Sequence, residues 1–275
     1  MPPATADTPY PLGATSAEHA RLIRQAVIWD PFTERLFRDA GIGPGQRVLD
    51  IGSGVGDVAM LAARLVGPSG AVIGVERDPA TIATARSRVA KAALSNVSFI
   101  ECDVRGVPSS ELFDAVVGRA ILQYLPEAGA LLRSLATLVR PGGVVAFQDV
   151  WPTSLFHLTA NLPLRSKCAS LIYRTLERSG VHMDMELVLY RAFLEAGLPA
   201  PKFRIEVPVG DDPNVARWFY DLVCTLASRL EKDELTASGI GDLETLESRL
   251  EAERIAARSF AASVAVVGAW SRKPG

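Results

Sequence analysis

The stretch Val48-Leu49-Asp50-Ile51-Gly52-Ser53-Gly54-Val55-Gly56-Asp57 constrains this chain more than any other part of it. The run VLDI reads as a buried strand. It ends in a turn with glycine at 52, 54 and 56, and a helix is expected over about 57–66. Those glycines remove every Cβ where a backbone would approach a ligand. The turn also brings backbone N–H groups and the positive end of a helix to that point. A strand, glycine turn and helix in this order predict an α/β fold that holds a nucleotide-like ligand at the strand end. The bland alternative gives the glycines no task beyond the turn itself.

Two nucleotide readings compete. A dinucleotide fingerprint is G-x-G-x-x-G with an acid about 20 residues further on. Here the spacing is G-x-G-x-G, and Asp57 stands where the third glycine would be. An acid there would repel a pyrophosphate, which disfavours an NAD-dependent oxidoreductase. Asp50, two residues before the first glycine, suits a ligand carrying an amino group. The arrangement D-x-G-x-G-x-G resembles motif I of the class I S-adenosylmethionine-dependent methyltransferases. The resemblance implies that Asp50, Gly52, Ser53, Gly54 and Gly56 lie against the methionine part of that cofactor.

The following segments extend the match. Ala71–Glu76 reads as a second strand ending in an acid, 24 residues after Gly52, close to the ribose-acid spacing of a βαβ nucleotide site. Glu76 is therefore the ribose candidate, whereas Asp78 before Pro79 is read as the N-cap of the next helix. A third strand spans 97–101. The resemblance then gives Asp103 to the adenine amino group and the Val104 N–H to a ring nitrogen, and adds Arg77 and Arg119 to the cofactor contacts. A fourth strand is expected at 113–118, then a helix at 130–139 stopped by Arg140-Pro141-Gly142-Gly143. A fifth strand follows at 144–149, a sixth at 202–209 and a last one at 263–270. The resemblance covers residues 42–150 and returns at the last strand. It implies a Rossmann-like, seven-stranded, mainly parallel sheet with the last strand antiparallel. Residues 1–41 form a helical N-terminal cap, 42–150 the cofactor-binding core, and 151–275 helical lid insertions with the final strands.

The parts outside the sheet are expected to set the acceptor. Thr15-Ser16-Ala17-Glu18 has the form of a capping box, with a helix to about Trp29 and a second one restarting at Asp30-Pro31 and running to about Ala40. YPLG and EHARLIRQA resemble the cap of small-molecule methyltransferases. That makes Tyr10 and Gln25 candidates near the cofactor carboxylate, the alternative being ordinary helix packing. Two helical insertions, 151–180 and 211–260, carry Phe156, Tyr173 and the run Trp218-Phe219-Tyr220. Ser238-Gly239-Ile240-Gly241 reads as a hinge between helices. Such aromatics fit a lid over a flat or apolar small molecule, or else the lid's own core or a homodimer contact.

Methyl transfer demands mainly that a nucleophile be held in line with the S–CH3 bond. A general base is needed only where the acceptor must lose a proton. His157, then Tyr124, then Asp149 are the candidates, each with a packing role as its alternative. Tyr124 stands where many members of the resembling quinone-biosynthesis and natural-product group have histidine. Gly118-Arg119-Ala120-Ile121 replaces the [DN]-P-P-[YF] motif of amine methylation in nucleic acids, and Asp149 alone makes no metal-binding acid cluster. Net charge is −2 with no basic run, so no nucleic-acid footprint is expected. Three scattered cysteines support neither disulfides nor zinc. With no apolar run of spanning length, a cytoplasmic protein free of the membrane is expected. The sequence thus predicts an S-adenosylmethionine-dependent methyltransferase of secondary metabolism, acting on a small acceptor without a metal. An alternative of the same fold senses S-adenosylmethionine or its product S-adenosylhomocysteine, or uses the bound sulfonium in an isomerase or pericyclic reaction.

Overall fold

The run before the glycine turn forms the centre of a sheet. In the computed structural model, which describes residues 12–108 and 111–275, β1 (Arg47–Ile51) pairs in parallel with β2 (Ala71–Glu76) and β4 (Phe113–Arg119). β3 (Val97–Glu101) flanks β2, and β5 (Val139–Trp151) flanks β4, both in parallel. β6 (Lys202–Glu206) and β9 (Ala265–Arg272) complete seven strands in the order β3-β2-β1-β4-β5-β9-β6, with β9, the last in the chain, antiparallel. Val48, Leu49 and Ile51 have no exposed surface, as expected where helices cover both faces of a parallel sheet. The helices α2 (Asp57–Val66), α3 (Pro79–Lys91) and α4 (Ala128–Thr137) make the crossovers. A further helix, α7 (Met185–Glu195), packs on α4.

The chain divides into two compact units. The sheet unit comprises Trp29–Val150, Met185–Ile205 and Val266–Gly275. Its core joins Phe37, Ile42, Val58, Ala59, Ile82, Val117 and Ala146, among others, on strands and helices. The helical unit comprises the described residues up to Ile28, Trp151–Asp184 and Glu206–Ala265. It holds α5 (Ser154–Thr159), α6 (Pro163–Arg178), α8 (Pro213–Ala227), α9 (Lys232–Ala237) and α10 (Leu246–Ala256). A two-stranded ribbon pairs β7 (Val209–Gly210) with β8 (Ala261–Ala262).

Three expectations need correction. The two N-terminal helices are one, α1 (Ser16–Ala40), with Pro31 inside it. Proline deletes one i→i−4 bond. The carbonyl that loses it belongs to Val27, whose side chain is 57% exposed, so solvent is at hand on that face. Thr33 Oγ lies 3.1 Å from the Trp29 carbonyl just past the gap. Thr15 Oγ does accept the Glu18 N–H, so the expected cap forms. Secondly, α4 stops at Thr137, and β5 begins at Val139, through Arg140-Pro141-Gly142-Gly143. A register shift absorbs the extra residues, since Phe113 pairs with Val139 but Ala115 with Val144. Thirdly, β6 ends at Glu206, and β9 is displaced two residues towards the C-terminus.

Candidate active site

The carboxyl ends of parallel strands are where an open α/β sheet binds ligands. There the glycine turn leaves β1. Gly52, Gly54 and Gly56 all have positive φ, at 65°, 52° and 88°. Their surroundings differ. A Cβ on Gly52 would meet Ile121 Cδ1 at 2.7 Å, and one on Gly56 would meet Ala85 and Phe99 at 3.2 Å. A Cβ on Gly54 would come no closer to anything than the Gly52 carbonyl at 4.0 Å. Gly52 and Gly56 thus allow close packing, and Gly54 leaves space.

Beside that turn, polar groups are buried without partners. Asp50 is 1% exposed, and neither carboxylate oxygen has a hydrogen-bond partner. Burial pushes its pKa well up. The Arg119 charge opposes this, Asp57 and Glu76 add to it, and the Ala59 N–H helps slightly without reaching hydrogen-bond geometry. Ser53 Oγ is likewise enclosed and unpartnered. Unsatisfied buried acceptors are costly and demand a reason. An ammonium-bearing ligand in the space beside Gly54 supplies one, so these residues fit the methionine end of S-adenosylmethionine.

Asp57 has its own explanation. It opens α2 and pairs with Arg88 at 2.6 Å, while Arg88 also donates to the Val55 carbonyl. Burial raises its pKa and Arg88 counters. Glu76 closes β2 and laces two turns together. One oxygen accepts the Gly54 N–H at 3.1 Å, and the other accepts those of Arg77 and Asp78. Asp78 caps α3 by accepting the Thr81 N–H. Asp103 accepts the N–H of Arg105 and two bonds from its guanidinium, which holds its pKa at about 2. Val104, half-buried, begins the short turn that Asp103 caps.

Arg119 ends β4 inside a polar network that sequence reading missed. Its guanidinium, 6% exposed, donates to Asp30 and Thr33, each at 2.9 Å, and Thr33 Oγ donates to Gln148 at 2.6 Å. In the sequence Asp30 marks only the expected restart of a second helix, and Thr33 and Gln148 carry no motif. Next to it, Ala120 takes a positive φ of 52°, a strained conformation for a residue with a Cβ. Asp149, with no exposed surface, accepts the Gln123 N–H weakly at 3.4 Å through Oδ1, and its Oδ2 has no partner. Burial lifts its pKa to about 8 against the N–H groups of Gln123, Leu122 and Ile121. Tyr124 lies in the same short turn, half-buried.

The sheet unit therefore brings together Asp50, the glycine turn, Glu76, Arg77, Asp103, Val104, Arg119, Tyr124 and Asp149 at its strand ends. Gln25 and His157 belong to the helical unit. Gln25 is buried, its Oε1 accepting from Arg21 and Trp218. His157 is on the exposed face of α5. Tyr10 lies outside the described residues.

Comparison with known proteins accords with this geometry. A family model described as a methyltransferase domain matches residues 42–183, more than half of the chain. An arsenite methyltransferase of Halobacterium salinarum is 39% identical over 118 residues, 42% of this chain and 30% of that one. A ubiquinone/menaquinone biosynthesis C-methyltransferase UbiE of Pseudomonas entomophila is 30% identical over 184 residues, 62% of this chain and 70% of that one. Several curated relatives are matched over only 30% to 45% of their own length. The solved structure of the YcgJ protein from Bacillus subtilis shares the fold, with TM-score 0.56, 16% identity and coverage of 87% and 96% of the two chains. With motif I built as a glycine turn around a buried acid, and with the family match across it, this chain belongs to the class I S-adenosylmethionine-dependent methyltransferases.

Proposed function

We propose that this chain moves a methyl group from S-adenosylmethionine to a small organic acceptor with an aromatic or apolar body, by in-line displacement. One observation carries the reading: a glycine turn with space beside Gly54, next to the buried, partnerless acceptors Asp50 and Ser53. In this reading Asp50 takes the cofactor's ammonium, Glu76 its ribose hydroxyls, and Asp103 with the Val104 N–H its adenine. Arg77 and Arg119 contribute charge, and Gln25 and Tyr10 belong to the cap. When bound, S-adenosylmethionine supplies a methyl group already activated on a sulfonium. The protein's remaining tasks are to orient the nucleophile and exclude water.

Burial keeps Asp149 protonated at neutral pH, so it acts as a hydrogen-bond donor sooner than as a base. His157 and Tyr124 remain the base candidates. His157→Ala and Tyr124→Phe separate them: the one that serves as base loses turnover while S-adenosylhomocysteine affinity holds, and unchanged turnover leaves that residue a packing role.

The names of the relatives point to two acceptor chemistries, arsenite and quinone precursors. Arsenic(III) is captured by thiolates, and only a deprotonated cysteine is such a ligand. Here burial raises the pKa of all three cysteines, that of Cys168 to about 12. Cys102 belongs to the sheet unit and the other two to the helical unit. This favours an organic acceptor, as do the tilted Phe156–Tyr173 pair and buried Trp218 and Phe219 within the helical unit.

Parallel calorimetric titration with S-adenosylmethionine, S-adenosylhomocysteine and NAD tests the reading, followed by transfer of labelled methyl to a panel of aromatic acceptors. Binding of the two adenosyl-sulfur compounds and label in an acceptor are expected. Binding of NAD alone overturns the cofactor, and cofactor binding with no label in any acceptor favours the non-methylating alternative.

A further inference from the structure

Arg165, in the first turn of α6, is a buried cation whose guanidinium makes no direct ion pair among the described residues. It is 6% exposed, and none of the ion pairs among the described residues includes it. A guanidinium offers five N–H donors. The side chain of Arg165 spends one, from Nη2 to the Ala262 carbonyl, and its Cζ lies over the Phe219 ring, 3.9 Å from the centroid. Its other nitrogens are absent from the fully enclosed, unpartnered atoms, so they retain a little accessible surface. The Glu253 carboxylate attracts it through space, yet its hydrogen bonds go to the backbone N–H groups of Leu164 and Arg165, at 2.6 and 3.0 Å, capping α6, and not to the guanidinium. Arg254 adds a second positive charge nearby.

A charge in this position is expensive unless something pairs with it. Holding β8 to α6 through one carbonyl needs only a neutral amide. Burial draws the Arg165 pKa down, with Cys168 and Glu253 acting the other way, to about 10, so it stays charged at neutral pH. An aromatic face on one side and unspent planar donors on the other match a flat molecule bearing an anionic oxygen.

We propose that Arg165, stacked on Phe219, is the anion-recognition residue of the helical unit, and that the acceptor carries a carboxylate or phenolate oxygen on an aromatic or apolar body. The inference rests on the methyl-transfer reading for the word acceptor; the anion site itself does not need it.

The probes are benzoate, phenolate-forming 4-nitrophenol, and neutral benzamide, titrated against full-length protein saturated with S-adenosylhomocysteine and followed by thermal shift and calorimetry. Benzoate or 4-nitrophenol above its pKa should bind saturably and benzamide at least about tenfold more weakly, as expected for charge-assisted hydrogen bonds. Which anion binds better tells carboxylate from phenolate. Arg165→Gln should abolish that preference with S-adenosylhomocysteine affinity unchanged, and Arg165→Lys should keep part of it. Equal binding of benzamide and the anions overturns the proposal, as does an anion preference that survives in Arg165→Gln, or no anion binding by protein that holds S-adenosylhomocysteine. Should Arg165→Gln not fold, the wild-type comparison of anion with amide decides. Failure to bind S-adenosylhomocysteine at all is a separate result and counts against the cofactor reading, not the anion site.

Discussion

Asp50 shows how a single residue is set against the stability of its own fold. An acid whose pKa is raised by burial keeps its proton in the folded state after the unfolded chain has lost it. Stability then declines as pH rises from the unfolded value, about 3.9, to the folded one, and is level above that. Asp50→Asn removes this cost, so at pH 7 its Tm should match or exceed the wild type's. Its affinity for S-adenosylhomocysteine should fall at least about tenfold, the scale of a lost charge-assisted bond. Because Asp50 must ionise to meet an ammonium, wild-type binding at a pH below its raised folded pKa should release a proton, seen as heats that vary with buffer ionisation enthalpy. The same buffer dependence in the wild type and in Asp50→Asn would remove Asp50 from the site. Asp149 obeys the same sign with a window that can be named. Between about pH 4 and its folded pKa of about 8 the wild type should lose stability relative to Asp149→Asn, and above 8 the difference should be constant. Parallel melting curves across that range would show that Asp149 is not a buried, protonated acid.

At the scale of elements, the β1–turn–α2 unit could be read from sequence because local chemistry alone dictates it. An apolar run, alternate glycines and a helix N-terminus each demand their conformation, and α2 lies where expected, Asp57–Val66. The division of labour among the three glycines was not legible, since it depends on Ile121, Ala85 and Phe99 arriving from elsewhere. It yields a prediction. Gly54→Ala meets no neighbour, so it should cost only the left-handed backbone penalty, about 1–2 kcal/mol, and yet weaken S-adenosylhomocysteine binding at least about tenfold by filling the space. Full affinity in a folded Gly54→Ala protein, measured by calorimetry, would mean that no ligand lies over that turn. Pro31 was misread for a related reason. Proline is a local stop signal, but Leu36 and Phe37 beyond it are buried in the core, and Thr33 joins Arg119 and Gln148. Tertiary burial of a helix face outweighs one lost bond. The same network makes Asp30 an ion-pair partner of Arg119 inside the continuous helix. Its members are 86 and 115 residues apart in sequence, beyond any motif.

At the scale of the molecule, the position of the family motifs and the extent of the folding unit are different things. All the proposed cofactor contacts of the sheet unit fall between residues 50 and 119, which makes 42–150 look like a self-sufficient domain. The sheet unit nevertheless draws on Met185–Ile205 and Val266–Gly275. β9 lies between β5 and β6 in the order of strands, and its Val266, Val267 and Ala269 are at most 1% exposed. Gly268 has no Cβ because Leu36 of α1 stands 2.9 Å from where one would be. Without β9, one edge of β5 would be left as an unpaired row of backbone donors and acceptors, a template for aggregation. The apolar positions Val144, Val145, Ala146 and Phe147, each at most 2% exposed in the whole chain, would also lose cover. A chain cut after Val150 keeps motif I, Glu76, Asp103 and Arg119, and is expected to lack a cooperative thermal transition and to bind no S-adenosylhomocysteine. Removal of the exposed tail after Lys273 alone should leave both intact, because Lys273 Nζ still reaches the carbonyls of Ala136 and Val139. If the fragment ending at Val150 melts cooperatively and binds the ligand, the five-stranded half of the sheet is a domain in its own right, and the late strands are an addition to it.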